Sequence, residues 1–334
     1  MKNVTIYDIA KALNVNPSTV NRALSGKKGV GDALRARIAD YADQAGYHIN
    51  PAAKSLNRQL KIGIVMQHTV SAFESQLIGG IEEAYAELSA MNVVLERHYT
   101  QTREEYEQSC ATLKDTGCDA VLLLSVRTGS LGELCRELSE ANMAVGAVVS
   151  DVSPAQRLFS VHLDGETTGG MAAELLFRFT RGERVAVFTG DPAIPIHAEI
   201  LRGFNRFVQE KFDIAAVYAD DADPDKARYN AKTMLADYPD VGGIFISTAN
   251  SVPICEEIVR SGRPIEVIAM DVFEETANYL RSGVISALLY QQPRYQGYIA
   301  LWNMVKVLDG YMAPQDVIIQ PQVVMRSNID AYQT

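Results

Sequence analysis

The feature that most constrains the fold is a regular alternation of short apolar runs and amphipathic helical stretches between residues 62 and 290. The runs contain few polar positions, which is typical of strands buried on both faces of a parallel sheet. The predicted strands are Ile62–Met66, Val93–Glu96, Ala120–Leu124, Ala144–Val149, Val185–Phe188, Ile244–Ile246, Val267–Met270 and Ala287–Tyr290. They are numerous enough for two sheets, so the alternation predicts an α/β fold with two doubly wound parallel-sheet lobes.

Helical periodicity between the strands predicts the helices that cover these sheets. The predicted helices are Leu77–Ala90, Glu104–Asp115, Gly132–Asn142, Gly170–Phe179, Arg202–Phe212, Lys226–Ala236, Pro253–Ser261 and Thr276–Ser282. The sequence between the two halves contains no low-complexity linker. We therefore expect several short crossings to join the lobes.

The charge is divided unevenly along the chain. Residues 1–61 hold ten Lys and Arg against four Asp and no Glu, a net charge of +6, whereas the remaining residues have a net charge of −16. A basic head on an acidic body suits a local contact with nucleic acid, but not a protein that binds nucleic acid over its whole surface.

The basic segment opens with two short helical patterns joined by the tight turn Asn14–Asn16. Thr5 and Asp8 have the spacing of a capping box before the first helix. Asn16 suits the N-cap of the second helix, and Pro17 suits its first position. This layout is typical of an all-α helix-turn-helix, whose second helix reads base edges in the major groove from its N-terminal residues. An ordinary amphipathic hairpin is the alternative.

A third helix is predicted at Asp32–Ala45, followed by a short helix that begins at Asn50 and Pro51. At about six residues, the short helix is not stable alone. It would form when it packs against DNA and against its own copy in a dimer.

Residues 4–61 resemble the DNA-binding head and hinge of the lactose-repressor (LacI/GalR) family of bacterial regulators. The resemblance rests on T-I-Y-D-I-A, V-N-P-S-T-V-N-R-A-L, the Gly-Tyr after the third helix, and N-P-A-A-K-S-L. It implies a helix-turn-helix head at 1–48 and a hinge helix with linker at 49–61, and the linker is about two residues shorter than is usual in the family. The implied DNA-binding residues are Thr5, Asn16, Pro17, Ser18, Thr19, Asn21, Arg22, Ala53, Lys54 and Leu56.

Two of these residues have roles that the resemblance alone implies. Leu56 occupies the place of the leucine that wedges between base pairs in the minor groove at the centre of the operator. Lys54 stands where the family most often has Arg, so it keeps a phosphate contact but lacks the planar fork of a guanidinium.

Residues 62–334 are similar to the periplasmic sugar-binding-protein fold that the same family uses as its effector-binding and dimerisation domain. The landmarks are Gly80–Ala84, Asp164 with Gly169 and Gly170, Gly190, Gly203 with Phe204, Met270 with Asp271, and Gln291 with Pro293, Gln296 and Gly297. The resemblance implies one lobe at 62–160 plus 292–317, and a second at 161–291 plus 318–334. A ligand in such folds binds between the lobes, at the carboxyl ends of the strands.

Asp271 and Gln291 each follow a predicted strand, so both side chains are expected in the cleft. A carboxylate and an amide offer the acceptors and donors that a hydroxyl-rich ligand requires. From spacing alone, Asp271 could equally cap the next helix, and Gln291 could satisfy loop backbone. The family places ligand-contacting Asp and Gln at these positions, which favours the ligand site.

Four further candidates for ligand contact come from the resemblance. Phe73 and Glu74 are predicted in the loop after the first strand, where the family often has an aromatic pair that stacks on a sugar, and Phe73 retains that character. Asn250 lies just beyond the strand Ile244–Ile246, near another usual contact position. His197 is also a candidate, and the alternative is a loop histidine with no special role.

The charge of the cleft narrows the class of ligand. Ile200 stands where sugar-binding members commonly have Arg, and Arg202 is expected to point away from that position on the same helix. Glu74 adds a second carboxylate to that of Asp271, and this pair would repel an anion. The sequence therefore predicts a neutral, hydroxyl-rich ligand or an amine-bearing one, and poor binding of sugar acids and sugar phosphates.

The sequence lacks the nucleotide-binding, hydrolase and zinc-protease motifs that would indicate an enzyme. The four cysteines do not have the spacing of metal ligands. The opening residues lack the apolar run of a signal peptide, and no window of the sequence reaches the ~18 apolar residues that a membrane span requires. We expect a cytoplasmic, homodimeric transcriptional repressor that binds operator DNA and responds to a sugar or polyol, without cofactor, metal or membrane contact. A solute-binding receptor of a transport system is the alternative.

Overall fold

The computed structural model describes residues 4–24, 29–45, 47, 59–67, 71–124, 131–150, 156–180, 184–209, 211–221 and 223–332. The chain divides into two compact units, Met1–Arg58 and Gln59–Thr334. This division falls within the segment that was predicted to be the hinge and linker.

The head is formed by three helices, α1 (Ile6–Leu13), α2 (Pro17–Leu24) and α3 (Asp32–Gln44). Their shared core includes Ile9 and Ile38, which are fully buried. All three helices lie where the sequence predicted them. The predicted hinge helix lies outside the described residues.

The effector unit contains twelve described strands arranged in two six-stranded sheets. The strands are β1 (Leu60–Gln67), β2 (Val93–Thr100), β3 (Ala120–Leu124), β4 (Ala144–Val149), β5 (Phe159–Leu163), β6 (Arg184–Thr189), β7 (Ile214–Ala219), β8 (Val241–Ile246), β9 (Glu266–Met270), β10 (Ala287–Tyr290), β11 (Val317–Ile319) and β12 (Gln322–Val324). The first sheet has the order β11-β5-β4-β3-β1-β2, and all its pairings are parallel. The second has the order β12-β10-β9-β8-β6-β7 and is parallel except for β12, which pairs antiparallel with β10.

Nine further described helices cover these sheets. They are α4 (Ala72–Leu88), α5 (Arg103–Asp115), α6 (Gly132–Glu140), α7 (Gly165–Thr180), α8 (Pro195–Val208), α9 (Pro224–Asp237), α10 (Ser251–Ser261), α11 (Glu274–Ser282) and α12 (Pro293–Leu308). Helices α4, α7 and α8 begin five to seven residues before the predicted positions. Local caps explain two of these starts: Ser71 Oγ accepts a hydrogen bond from the Glu74 amide at 3.2 Å before α4, and Pro195 occupies the first turn of α8.

The strands place two lobe boundaries differently from the prediction. Strand β5 belongs wholly to the first sheet, so the first crossing lies at Asp164 and not at residue 160. Strand β11 also belongs to the first sheet, so this lobe extends to Ile319 rather than to residue 317. Strand β5 was missed because the polar residues Ser160 and His162 interrupt its apolar run, and β11 was missed because it has only three residues. Among the described elements, three short crossings join the lobes, as the sequence predicted.

Two glycine contacts hold paired helices close together, one in each lobe. A Cβ atom on Gly80 of α4 would lie 1.8 Å from the carbonyl oxygen of Arg294 on α12. In the second lobe, a Cβ atom on Gly169 of α7 would lie 1.8 Å from the carbonyl oxygen of Ile200 on α8. Both distances are too short for any side chain, so the glycines allow backbones to touch where the helices cross.

Candidate functional site

The helix-turn-helix of the head is fixed by local hydrogen bonds. The Thr5 amide donates to Asp8 Oδ2 at 2.9 Å, and the Asp8 amide donates to Thr5 Oγ1 at 3.3 Å, which completes the predicted capping box. Asn14 ends α1 in the left-handed conformation at φ 51°. The Ser18 amide then donates to Asn16 Oδ1 at 2.9 Å, so Asn16 caps α2 as expected.

Helix α2 has one buried face and one polar face. Val20 and Ala23 are buried in the head core. On the opposite face Ser18, Asn21 and Arg22 are exposed, whereas Pro17 and Thr19 are half-buried. An exposed polar face near the N-terminus of the second helix is the surface that reads base edges in a helix-turn-helix. The other three predicted DNA contacts, Ala53, Lys54 and Leu56, lie outside the described residues.

A cavity of about 530 Å³ lies between the lobes of the effector unit. Its walls are formed by the start of α4 in the first lobe and by segments that follow the second-lobe strands β6, β8, β9 and β10. All six residues predicted to contact a ligand line this cavity: Phe73, Glu74, His197, Asn250, Asp271 and Gln291. The described structure thus brings the candidates together where parallel strands end.

Asp271 and Gln291 form a hydrogen-bonded pair on the cavity wall. The side-chain amide of Gln291 donates to Asp271 Oδ2 at 2.7 Å, and its backbone amide donates to Oδ1 at 3.3 Å. Burial raises the pKa of Asp271 to about 7, although the bonds from Gln291 act in the opposite direction. Asp271 therefore does not cap α11, and Gln291 uses its side chain on Asp271 rather than on loop backbone.

Phe73 and Glu74 lie in the first turn of α4, so the prediction that they belong to a loop was wrong. Helix α4 begins at Ala72, with Ser71 as its N-cap, so both residues follow the start of the helix. Glu74 is 4% exposed, and Phe73 is half-buried beside it. Because both positions belong to a helix that packs on the first sheet, the first lobe supplies a rigid wall to the cavity.

His197 also lies on a helix, in the first turn of α8, whereas the alternative to a ligand contact had placed it in a loop. A Cβ atom on Gly190 would lie 2.4 Å from His197 Nε2, so the ring occupies the space that this glycine leaves. Burial lowers the pKa of His197 to about 4, whereas the nearby Asp191 carboxylate acts to raise it. The imidazole is therefore neutral near pH 7, and its buried Nδ1 atom has no hydrogen-bond partner among the described residues.

Asn250 precedes α10 and is 7% exposed. Its backbone amide donates to Thr248 Oγ1 at 3.2 Å, and Thr248 Oγ1 donates to Asp220 Oδ2 at 2.8 Å. The side-chain Nδ2 atom of Asn250 is buried, and no residue in the described part of the chain forms a hydrogen bond with it. A buried donor of this kind is costly unless a ligand or water satisfies it.

Three acidic residues on the cavity wall were not among the predicted contacts: Asp191, Asp221 and Glu275. Asp191 comes two residues after β6, so the strand-end rule that selected Asp271 could have found it. Asp221 follows β7, a strand that was not predicted from the sequence. Glu275 lies in the first turn of α11, and no pattern in the sequence distinguishes it from other exposed glutamates.

Ile200 lines the cavity with an apolar side chain. Arg202 points away from the cavity, as helical periodicity predicted, and its Nε donates to Glu166 Oε1 at 3.1 Å.

The described residues contain no group of three or more His, Cys, Asp or Glu side chains that could hold a metal ion. The four cysteines are buried and form no disulfide. No helix in the described ranges is long and apolar enough to cross a membrane.

Comparisons with known proteins agree with this two-part organisation. The family model for the periplasmic binding protein domain matches residues 62–312, and the model for bacterial regulatory proteins of the lacI family matches residues 5–50. Catabolite control protein A of Priestia megaterium is 24% identical over 211 residues, which are 62% of this chain and 62% of that protein. HTH-type transcriptional regulator pepR1 of Lactobacillus delbrueckii subsp. lactis is 23% identical over 332 residues, which are 96% of each chain.

Among solved structures, the Caulobacter myo-inositol binding protein bound to myo-inositol superposes with a TM-score of 0.76 at 18% identity. The match covers 82% of this chain and 96% of that chain. It shows that the two lobes of this chain together have the same fold as that protein. The first family model spans most of the chain, and the second spans the helix-turn-helix. The chain therefore belongs to the lacI family of bacterial regulatory proteins and carries a periplasmic-binding-protein domain as its effector unit.

Proposed function

We propose that this protein is a transcriptional repressor whose affinity for operator DNA is controlled by a small hydroxyl-rich ligand bound between its two lobes. The observation that carries the proposal is the presence, on one chain, of a helix with an exposed polar face in a basic head and an interlobe cavity with unsatisfied buried polar atoms. The named relatives, which are a catabolite control protein and a transcriptional regulator, support the same function.

The ligand would act by favouring one arrangement of the lobes. Phe73 and Glu74 belong to the first lobe, whereas Asp271 and Gln291 belong to the second, so a bound ligand would contact both. Beside the cavity, Gln76 Nε2 donates to the carbonyl oxygen of Val272 at 2.9 Å, which is a direct bond between the lobes. A ligand that binds one lobe arrangement more tightly shifts the population towards it, and so changes DNA affinity if the arrangement sets the spacing of two heads.

We further propose that the protein acts as a homodimer in the cytoplasm and catalyses no reaction. Two heads per assembly would double the phosphate contacts and would match a palindromic operator. The family consists of regulators and binding proteins, and this supports a binding function for the cavity.

The proposal is tested by measuring fluorescence anisotropy of labelled DNA fragments from the region flanking the coding sequence. We expect one fragment to bind more tightly than a scrambled fragment of the same length, and a ligand found by thermal shift to change that affinity. The change should disappear in Asp271→Ala while the affinity without ligand remains. Equal affinity for the flanking and scrambled fragments at all salt concentrations would contradict the proposal, and the transport-receptor alternative would then stand.

A further inference from the structure

The residue that precedes helix α10 does not use its side chain to cap the helix. Asn250 occupies the N-cap position, where an asparagine ordinarily accepts a hydrogen bond from an amide of the first turn. Here the Asn250 side chain forms no such bond. Its Nδ2 atom is buried, and the described ranges contain no partner for it. The side chain therefore lacks its usual local role and keeps a donor that the fold does not use.

The backbone of Asn250, by contrast, is held by a side chain of the preceding turn. Its amide donates to Thr248 Oγ1 at 3.2 Å, which closes a turn between residues two positions apart. The Thr248 hydroxyl in turn donates to Asp220 Oδ2 at 2.8 Å. A hydroxyl has one proton and two lone pairs, so the proton given to Asp220 leaves the oxygen free to accept from Asn250. The carboxylate thus fixes the direction of both bonds.

Asp220 lies behind the cavity wall and not on it. The residue follows β7 directly and is 0% exposed, whereas Thr248 and Asn250 both line the cavity. Strand β6 separates β7 from β8 in the sheet, so the Asp220 side chain reaches across the end of β6 to the segment after β8. A carboxylate removed from water is costly unless it is hydrogen-bonded. Its bond to Thr248 therefore resists rotation of the Thr248 hydroxyl away from Asn250.

We propose that Asp220 and Thr248 are positioning residues for ligand binding, which fix the segment after β8 so that the Asn250 side chain is held at the cavity wall as a donor to one oxygen of the ligand. This inference rests on the proposed function, because it concerns the same cavity. A donor that is fixed before the ligand arrives does not have to be ordered on binding, so its bond contributes more to affinity.

The arrangement should give the cavity a preference for one oxygen of its ligand. A site that donates a hydrogen bond to a ligand oxygen rejects the analogue that lacks this oxygen, because the buried donor is then left unpaired. Ile200 and Phe273 on the same wall are apolar and cannot supply such a preference. Discrimination against one deoxy analogue is therefore the property that should depend on the orientation of Asn250.

The test uses neutral probes that differ by a single oxygen. The full-length protein is screened by thermal shift against glucose, galactose, mannose and myo-inositol. The probe that binds is then compared with its monodeoxy analogues by titration calorimetry. We expect one analogue to bind about tenfold more weakly than the intact probe, and this difference to fall to about twofold or less in Asn250→Ala. That result assigns the oxygen that Asn250 contacts.

A substitution of Thr248 then tests the positioning role. Thr248→Val removes the hydroxyl and keeps the size of the side chain. It should weaken binding of the intact probe by about fivefold or more, and it should reduce the discrimination against the assigned analogue to about twofold or less, as Asn250→Ala does. Thr248→Ser restores the hydroxyl, so it should recover both the affinity and the discrimination to within about twofold.

Thr180→Val is the matched control for loss of a buried threonine hydroxyl. Thr180 is 5% exposed and Thr248 is 7% exposed, and the Thr180 hydroxyl donates to the carbonyl oxygen of Leu176 at 2.8 Å. The Thr180 side chain adjoins Gly243 near the start of β8, at the other end of the strand from Asn250. The control should lower stability but leave both the affinity and the discrimination unchanged.

Hydrogen exchange of the unsubstituted protein gives a second readout that does not depend on the folding of a variant. The backbone amide of Asn250 should be protected before any probe is added, because it is already bonded to Thr248. Protection that appears only when a probe is bound would mean that the ligand orders this segment, and the inference would be wrong.

Two calorimetric results would also overturn the inference: Thr248→Val discriminates against the assigned analogue as strongly as Thr180→Val does, or Thr248→Ser fails to recover the discrimination. The operator assay separates these results from failure of the proposed function. If a probe changes operator affinity but Thr248→Val keeps the discrimination, the regulatory function stands and the positioning role is wrong. If the variants behave as expected and operator affinity does not change, the positioning role stands and the proposed control of DNA binding is wrong. Binding of none of the probes would contradict the proposed ligand class and the positioning role with it.

Discussion

Replacement of Asp271 by asparagine should make the effector unit more stable, and the gain should grow with pH. Burial raises the pKa of Asp271 to about 7 from an ordinary value of 3.8. In the unfolded chain the carboxyl loses its proton near pH 4, whereas in the folded chain it holds the proton until about pH 7. The contribution of this carboxyl to the free energy of unfolding is thus fully present below pH 4 and is lost as the pH rises to about 7.

The size of the effect follows from the shift in pKa. One pKa unit corresponds to ~1.4 kcal/mol, so a rise of about three units means that ionised Asp271 costs the folded state about 4 kcal/mol. Asparagine keeps the shape of the side chain and does not ionise. We therefore expect the difference in unfolding free energy between Asp271→Asn and the parent protein to increase by about 3 kcal/mol between pH 5 and pH 8.

Urea denaturation of both proteins is measured at four pH values from 5 to 8. Unfolding of the effector unit is monitored by far-UV circular dichroism. Asp240→Asn is the control, because the hydrogen bond from Arg184 lowers the pKa of the exposed Asp240 carboxyl and its difference should not grow with pH. A difference for Asp271→Asn that is constant over this range would refute the reasoning. It would mean that the hydrogen bonds from Gln291 offset the whole effect of burial.

Three further predictions concern the head, the hinge and the cavity. Arg22→Ala should lose roughly 1–3 kcal/mol of discrimination at one base pair, and equal losses on operator and scrambled DNA would count against a base contact. Leu56→Ala should leave the melting temperature nearly unchanged but reduce operator affinity and DNA bending, whereas a large drop in melting temperature with intact bending would identify a core residue. Gly190→Ala should displace His197 and weaken ligand binding by about tenfold, and Gly170→Ala, whose nearest contact would be 3.9 Å away, should leave the calorimetric affinity unchanged.

The sequence was sufficient to predict features that depend on local pattern. The capping box of Thr5 and Asp8 and the cap at Asn16 involve residues two or three positions apart, so their partners are visible in the sequence. Asp271 and Gln291 were predicted to lie in the cleft because each follows a buried strand. Their hydrogen bond to each other joins neighbouring strands, and no local pattern could have predicted it.

The missed elements depend on tertiary context. Strand β7 lies at a sheet edge with Val217 46% exposed, so its residues lack the continuous burial that marks the central strands. Strand β12 has three residues and is stabilised by its pairing with β10 rather than by its own sequence. The early start of α4 was missed because Phe73 and Glu74 were assigned to a loop by analogy, although Ser71 and Glu74 have the spacing of a helix cap.

The bond between Gln76 and Val272 has a consequence for how the response to a ligand can be adjusted. Its acceptor is a main-chain oxygen adjacent to Asp271, so no ordinary change of side chain at position 272 removes it. The donor is a side chain that can be replaced without touching any of the six predicted ligand contacts. A substitution at position 76 would therefore change how strongly the two lobes are held together, in evolution or in an engineered sensor, without changing which ligand binds.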